Sequence, residues 1–579
     1  MKKIPRTGIL IASLILVVVA INLFFQVPQG EGFNPSDDGV ILAQSYRIIN
    51  GEVPHVDFIS IRPVGSAIFH SLSFAIPFPL EVAARWLCLL EYLLISLLWS
   101  WLLFKTLPLR NQKPYILLLI STLAFVLNQN FYNLFPWTTI DAIFFFSLGF
   151  FIYWNWKDSK LSRRLSAVRY FMIIFFIGYS ALCRQTFALP VLVLGILSLT
   201  ESVKRRQLTS MLLGGLVGLT PYWIYLTSLI KENALNDFYH QLTGRTEIWE
   251  TGINQFGQQF WNSPFLAIYL IIFVLFLFLK LETKKEVGGK VNVFLRPISV
   301  WVNFILLSGI VVLIFVNTTH LFSYSFVLFW IYILMLICGS MFISEGWRKV
   351  SLHWWIIFLA WTSSISLGDN SPVFTTGLLG GGILVLMLQQ LYAVYQSKKY
   401  FRSYNWILVL LSAALLGVSV YVQKENNYRD LRAANLKFQM TSFLPDMGGI
   451  KTNSRTYAYM LEMYEIFENL GNSRGRFVAL PNASLIYPML DSRNPMPIDW
   501  MQGPEFVGQE DELLERLRLL DKGDGIYLLF DKYNSKLLSD SLVEMDYQSG
   551  QYPYYNYLLE NSYPVQGFSS DWFDIRLWK

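Results

Sequence analysis

Phe33-Asn34-Pro35-Ser36-Asp37-Asp38-Gly39 opens a polar stretch that runs on through Gln44, Arg47 and Asn50-Gly51-Glu52-Val53-Pro54-His55-Val56-Asp57-Phe58 to Arg62-Pro63-Val64-Gly65. It lies between two apolar runs, 8–25 and 82–104, each close to the length that crosses a bilayer. A carboxylate-rich loop bracketed in this way decides the fold class: a polytopic α-helical membrane protein whose polar equipment is gathered in loops. After Gly39, the residues Val40, Ile41, Leu42, Ala43, Tyr46, Ile48 and Ile49 mark the apolar face of a short interfacial helix. Asn50-Gly51-Glu52-Val53-Pro54 is a turn by composition, because Asn-Gly favours positive φ and proline sets the next bend. That turn is expected to bring Asp57 back toward Asp37.

The whole chain agrees with this reading. Of 579 residues, 54% are hydrophobic and only 15% charged, with mean hydropathy +0.41; soluble domains carry about 25% charge. The formal charge of +6 serves chiefly to hold loops on the cytoplasmic side, so no nucleic-acid partner is expected. Cys88, Cys183 and Cys338 fall in apolar runs far apart in sequence, so neither a disulfide framework nor a cysteine-ligated zinc site is expected, and the three read as small packing residues. Met1-Lys2-Lys3-Ile4-Pro5-Arg6 before the first apolar run has the charge of a signal anchor.

Apolar runs near 8–25, 82–104, 113–130, 138–156, 169–183, 187–200, 209–230, 263–280, 297–317, 321–344, 353–368, 373–396 and 404–423 predict about thirteen spans, the pair flanking Arg184 being short. The loops this scheme puts inside hold roughly two dozen cations, among them Lys157, Arg163, Arg164, Lys204, Arg205, Arg206, Lys284 and Lys285, against about five outside. The N-terminus is therefore expected in the cytoplasm of a plasma or inner membrane. An odd number of spans delivers everything after Lys424 to the outer face, together with the Asp37-Asp38 loop. Residues 1–423 thus form the membrane module, with its first outer loop at 26–81, and 424–579 form a soluble domain. There, 456–470 and 511–520 have helical spacing, while 476–480, 525–530 and 573–578 alternate as strands, which predicts a small α/β fold.

Several side chains carry chemistry in this frame. Asp37 and Asp38 either cap the short helix, or supply a general base, or together hold a divalent cation such as Mg2+ or Mn2+. Arg62 and Arg184 sit at the outer ends of apolar segments, where an arginine either snorkels to headgroups or pairs with an anion; together they fit a clamp for a lipid-linked phosphate. His55 lies beside Asp57. The outer loop 231–262 adds His240 and Arg245, with Trp249 and Trp261 as interface anchors or sugar platforms. His320 and Asp369 stand in short outer loops where turn chemistry also accounts for them. No phosphate-loop, His-Glu-x-x-His or Gly-x-Ser-x-Gly motif occurs, and Asp141 is the main acidic residue of the central runs, which argues against nucleotide hydrolysis and ion-coupled transport.

The order of aspartate pair, short helix, Gly51-Glu52-Val53-Pro54-His55-Val56-Asp57-Phe58, then Arg62-Pro63-Val64-Gly65 resembles the first outer loop of GT-C glycosyltransferases, which include the protein O-mannosyltransferase-like and aminoarabinose-transferase-like families. The likeness is present again at Leu480-Pro481-Asn482-Ala483-Ser484-Leu485-Ile486-Tyr487 with Asp491-Ser492-Arg493-Asn494-Pro495, which brings in Tyr487 and Arg493 as substrate-binding candidates. Such enzymes move a sugar from a polyprenyl-phosphate carrier to an acceptor at the outer face and invert the anomeric centre. The resemblance implies that Asp37 is the base or orients the acceptor, that Asp38 and Asp57 are its acidic companions, and that Arg62 replaces the lysine that binds the phosphate. Val64 stands where related loops have a second proline. Expected partners are a polyprenyl-phosphate-linked sugar, membrane lipids, and a glycan, lipid or protein acceptor. The alternative is a flippase or transporter of lipid-linked glycans, in which the same cations bind phosphate without bond cleavage.

Overall fold

The computed structural model describes residues 31–107, 113–129, 134–156, 161–244, 347–366, 372–394, 427–470, 476–506, 508–547 and 553–579, with isolated positions elsewhere. Two short helices lie in the 26–81 loop: α1 (Val40–Ile49) and α2 (Gly65–His70). Long apolar helices follow: α3 (Leu80–Thr106), α4 (Pro114–Gln129), α5 (Thr138–Trp156), α6 (Arg163–Cys183) and α7 (Ala188–Lys204). Next come α8 (Leu208–Gly218), α9 (Thr220–Lys231), the short α10 (Leu235–Thr243), α11 (Trp347–Ser364) and α12 (Thr376–Val394).

Among the described residues, three helical segments are long and apolar enough to cross a membrane: Leu80–Thr106, Arg163–Cys183 and Gln185–Lys204. The pair α8 and α9, bent by 48°, makes a fourth if it is one broken span. These are fewer than the thirteen expected. The expected spans at 297–317 and 321–344 lie outside the described residues, those at 263–280 and 404–423 lie almost entirely outside them, and about two thirds of 8–25 does. The pair flanking Arg184 is longer than the apolar runs implied, because both helices extend at the ends away from Arg184 through amphipathic residues such as Arg163, Arg164 and Lys204.

Small residues set the closest helix contacts. A Cβ at Gly214 would meet the Ala167 carbonyl at 2.4 Å, and one at Gly218 the Phe171 carbonyl at 3.0 Å. This Gly-x-x-x-Gly stripe on α8 therefore lets the backbone of α6 approach directly, the packing favoured where lipid removes the hydrophobic drive between helices.

Residues 427–579 form an α/β unit. Its four-stranded sheet has the order β3-β4-β6-β5, built from β3 (Phe477–Leu480), β4 (Ile526–Asp531), β5 (Ser562–Pro564) and β6 (Phe573–Trp578). β3 and β4 run parallel in register Phe477 to Tyr527, and the other pairs are antiparallel. A separate ribbon pairs β1 (Phe438–Gln439) with β2 (Lys451–Thr452). Side chains alternate across the sheet. Phe477, Ala479, Leu529, Phe573 and Ile575 face α13 (Ser454–Asn469), while Val478, Leu480, Leu528 and Trp578 face a second core with α15 (Glu510–Leu519) and α16 (Pro553–Glu560). The short α14 (Ile486–Met489) follows β3.

The outer loop and this unit share one core. Phe33, Leu42, Leu80 and Ala84 pack in the same apolar cluster as Met463, Leu485 and Phe477, and Ile59 joins the cluster on the opposite side of the sheet. Backbone bonds stitch the join: Gly32 to Lys451, Ala483 to Pro35, and Ile59 to Pro497, all at 2.7–2.9 Å.

Candidate functional site

Asn34 shapes the turn that carries the aspartates. Its Oδ1 accepts from the backbone N–H of Ser36 (3.1 Å) and of Asp37 (3.3 Å), the Asx geometry that Asn offers without a helix. Gly39, at φ +96°, then precedes α1, whose first turn has no side-chain cap. The expectation that the aspartates cap this helix is therefore corrected: the chain turns through Gly39, and both carboxylates point elsewhere.

They also point to different partners. Asp37 is 3% exposed, and its Oδ2 accepts from the Tyr428 hydroxyl at 2.6 Å and pairs with the Arg429 guanidinium at 2.5 Å. Asp38 is fully buried; its Oδ2 lies 3.6 Å from Arg85 and accepts from the Asn34 N–H at 3.2 Å. Burial pushes the Asp38 carboxyl well above the usual range, with Arg85 opposing. Arg85 is itself held by Glu81 at 2.9 Å and by the Gly32 carbonyl. Asp38 thus belongs to a buried network on α3, whereas Asp37 faces the C-terminal unit.

Around Asp37 a charged and aromatic cluster converges from three parts of the chain. Arg429 lies over the Tyr428 ring at 5.0 Å and remains a third exposed. Lys536 is close enough to feel Asp37, Arg429 and Glu505; burial lowers its ammonium pKa, and Asp37 opposes that most. Its Nζ donates to Gln502 and sits 5.6 Å over the Trp500 ring. Arg62 grips Glu505 with both guanidinium nitrogens, the Nη2 bond measuring 2.6 Å, and lies between the rings of Trp137 (5.7 Å) and Trp500 (5.6 Å). Trp500 is fixed from behind, since its Nε1 donates to Asn482 Oδ1, which also accepts from Ser36. Phe135 stacks on Tyr428 and meets Trp137 edge-on. Arg62, Arg429 and Lys536 against Asp37 and Glu505 leave one formal positive charge, in a setting with three aromatic faces. Such a site can take a phosphate on its cations and a sugar ring on its indoles.

The other expected residues are placed as follows. Asp57 is exposed and accepts from the Val53 N–H at 2.5 Å, which closes the 50–57 turn. Arg184 stitches helices: it donates to Thr139, to Thr186 at 3.3 Å and to the Ile365 carbonyl at 2.8 Å. The next residue, Gln185, donates to the Ile61 carbonyl at 2.9 Å, beside Arg62. His55 is fully buried with φ +67°; its Nδ1 donates to Gln241 Oε1 at 2.9 Å, and Phe238 meets the ring edge-on. Burial pulls its pKa down to about 4, so it is neutral at physiological pH. His240 offers its carbonyl to Gln509 Nε2 at 2.7 Å. Tyr487 is buried and accepts the Ala479 N–H at 3.1 Å, a structural bond within the domain core. Arg493 is 59% exposed and reaches Asn50 and Glu52 at the rim. Arg245, His320 and Asp369 lie outside the described residues.

For a metal, the Asp37-Asp38 pair lacks a common focus, because each carboxylate is turned to a different arginine. The residues missed in the sequence are Tyr428, Arg429, Glu505, Lys536, Trp500 and Trp137. The only local signal was the polar Tyr428-Arg429-Asp430 step just beyond the last apolar run. Asp430 accepts the Phe33 N–H at 3.0 Å and thereby seats that step against the aspartate turn. Neither the known family models nor the curated proteins compared contain a match to this chain.

Proposed function

We propose that this protein is a membrane glycosyltransferase of the GT-C kind, with about thirteen spans, that transfers a sugar from a polyprenyl-phosphate donor to an acceptor hydroxyl at the outer face of a plasma or inner membrane. The observation that carries the reading is the buried Asp37 carboxylate standing against Arg429 and Lys536, with Trp500 and Trp137 beside Arg62. A sugar already joined to phosphate has a good leaving group. Catalysis then needs a base, cations for the departing phosphate, and alignment.

In this reading Arg429 and Lys536 take the donor phosphate, which draws Arg429 off Asp37 and leaves that carboxylate able to accept a proton. The acceptor oxygen attacks the anomeric carbon from the face opposite the phosphate while its proton passes to Asp37. The anomeric C–O bond breaks with its electron pair going to the phosphate oxygen, and the configuration inverts. Arg62 acts differently from the simple phosphate ligand expected, since Glu505 already occupies its fork. It braces the two indoles that would hold the sugar.

The test is release of polyprenyl phosphate from a panel of polyprenyl-phosphate sugars by the purified full-length protein. Turnover with at least one donor is expected, and Asp37→Asn should lower it roughly 10²–10⁴-fold. No release from any donor, or full turnover in Asp37→Asn, overturns the proposal. A flippase would instead move the lipid across vesicles with the sugar bond intact.

A further inference from the structure

Beneath the outer loop, inside the helix bundle, three potential metal ligands converge where the transfer mechanism uses none of them. His70 ends α2, and Cys88 and Glu91 lie three residues apart on one face of α3, following Glu81 and Arg85 down the same stripe. One ligand atom from each lies within 4.8 Å of the others. All three residues are at most 1% exposed.

Their hydrogen bonding is incomplete in a specific way. His70 Nε2 faces Asp141 Oδ1 at 3.1 Å, from the first turn of α5. The opposite ring nitrogen, Nδ1, has no hydrogen-bond partner. Glu91 and Asp141 contact each other side chain to side chain. Buried polar atoms are nearly always satisfied, so an unpartnered imidazole nitrogen beside a thiol and two facing carboxyl groups needs an explanation. A carboxylate that holds an imidazole beside a cluster of ligands is a device that metal sites use to fix tautomer and direction.

We infer that a ring nitrogen of His70, Cys88 Sγ and Glu91 bind a divalent ion of the zinc class, with Asp141 beside the imidazole and a fourth position left for water. The mixture of sulfur, nitrogen and oxygen selects zinc over Mg2+ or Ca2+, which take oxygen ligands. A thiolate and a carboxylate balance the ion's two charges, and the thiol proton is released on binding. This also removes the cost of two adjacent carboxyl groups in a low-dielectric interior. The ion ties α2, and hence the loop that bears Arg62, to α3 and α5. The inference stands whether or not the protein transfers sugars.

The experiment uses full-length protein carrying a histidine-free affinity tag, purified without chelators and analysed for metal by mass spectrometry. About one zinc per chain is expected, falling several-fold in Cys88→Ser and in Glu91→Gln. Exchange with Co2+ should give a thiolate-to-cobalt charge-transfer band in the native protein that Cys88→Ser abolishes. The native protein's band needs no variant, so misfolding of a substituted chain does not rescue the idea. Absence of zinc and of the cobalt band, or equal retention in Cys88→Ser and Glu91→Gln, overturns it. So does a protonated-carboxyl infrared band in the protein as purified that Glu91→Gln removes, since Glu91 and Asp141 would then be sharing a proton in place of an ion.

Discussion

Asp37 and Asp38 are adjacent in the chain yet live in different surroundings, and the cause is backbone geometry. The Asn34 turn sends one carboxylate to Arg429 in the C-terminal unit and the other to Arg85 in the bundle. Sequence alone identified the pair as unusual, because two aspartates beside a membrane run are costly without a use. It held three roles open and had no means of separating the two residues. His55 shows the same limit: it looked like a substrate contact but is a buried neutral side chain whose Nδ1–H is satisfied by Gln241. Its pKa of about 4 lies below the ordinary value of 6.5, so the unfolded chain takes up the proton first. Stability is therefore full above about pH 6.5 and falls as pH drops toward 4, a loss on the order of 3 kcal/mol from this group. His55→Asn, which tolerates the positive φ, should flatten the acid side of a plot of thermal midpoint against pH. An unchanged acid slope in that variant would exclude His55 as its source.

At the scale of elements, the apolar runs and alternating strands were legible because each is a local pattern. The run 82–104 became Leu80–Thr106, and 573–578 became β6 with the same bounds. The missed elements, such as β5 and α14, are three and four residues long, too short for periodicity to register. Where elements meet, a single glycine governs the join. Gly39 and Gly51 both have positive φ, +96° and +88°. A Cβ on Gly39 would lie 2.3 Å from Leu485 Cβ and 2.8 Å from its Cα, whereas one on Gly51 meets nothing within 4 Å. Gly51→Ala should cost only the backbone penalty of about 1–2 kcal/mol. Gly39→Ala adds a clash between the aspartate turn and the segment before α14, and should cost about 3 kcal/mol or more and impair transfer. Denaturation midpoints of the two variants measure the difference; equal midpoints would mean that the outer loop and the C-terminal unit are not pressed together there.

For the molecule as a whole, the proposed topology, read from the charge bias of the loops, puts Lys204 in the cytoplasm and the C-terminal unit outside. Both Lys204 and Asp446 are exposed. With a membrane-impermeant thiol reagent on intact cells, Asp446→Cys should label and Lys204→Cys should label only after the membrane is opened, above the background of the native cysteines. The reverse pattern would invert the topology and put the Asp37 cluster on the wrong side for a lipid-linked donor. Chain sequence by itself determined what depends on neighbours along the chain: the apolar helices, the cation asymmetry, the alternation of the sheet and the turn at Asn50-Gly51. Tertiary structure alone decided which groups complete the site. Tyr428 is 391 residues from Asp37, and Glu505 is 443 from Arg62. Contacts at such separation leave no periodic trace, since they arise when the outer loop and the C-terminal unit bury their apolar faces in one core and carry their charged rims together.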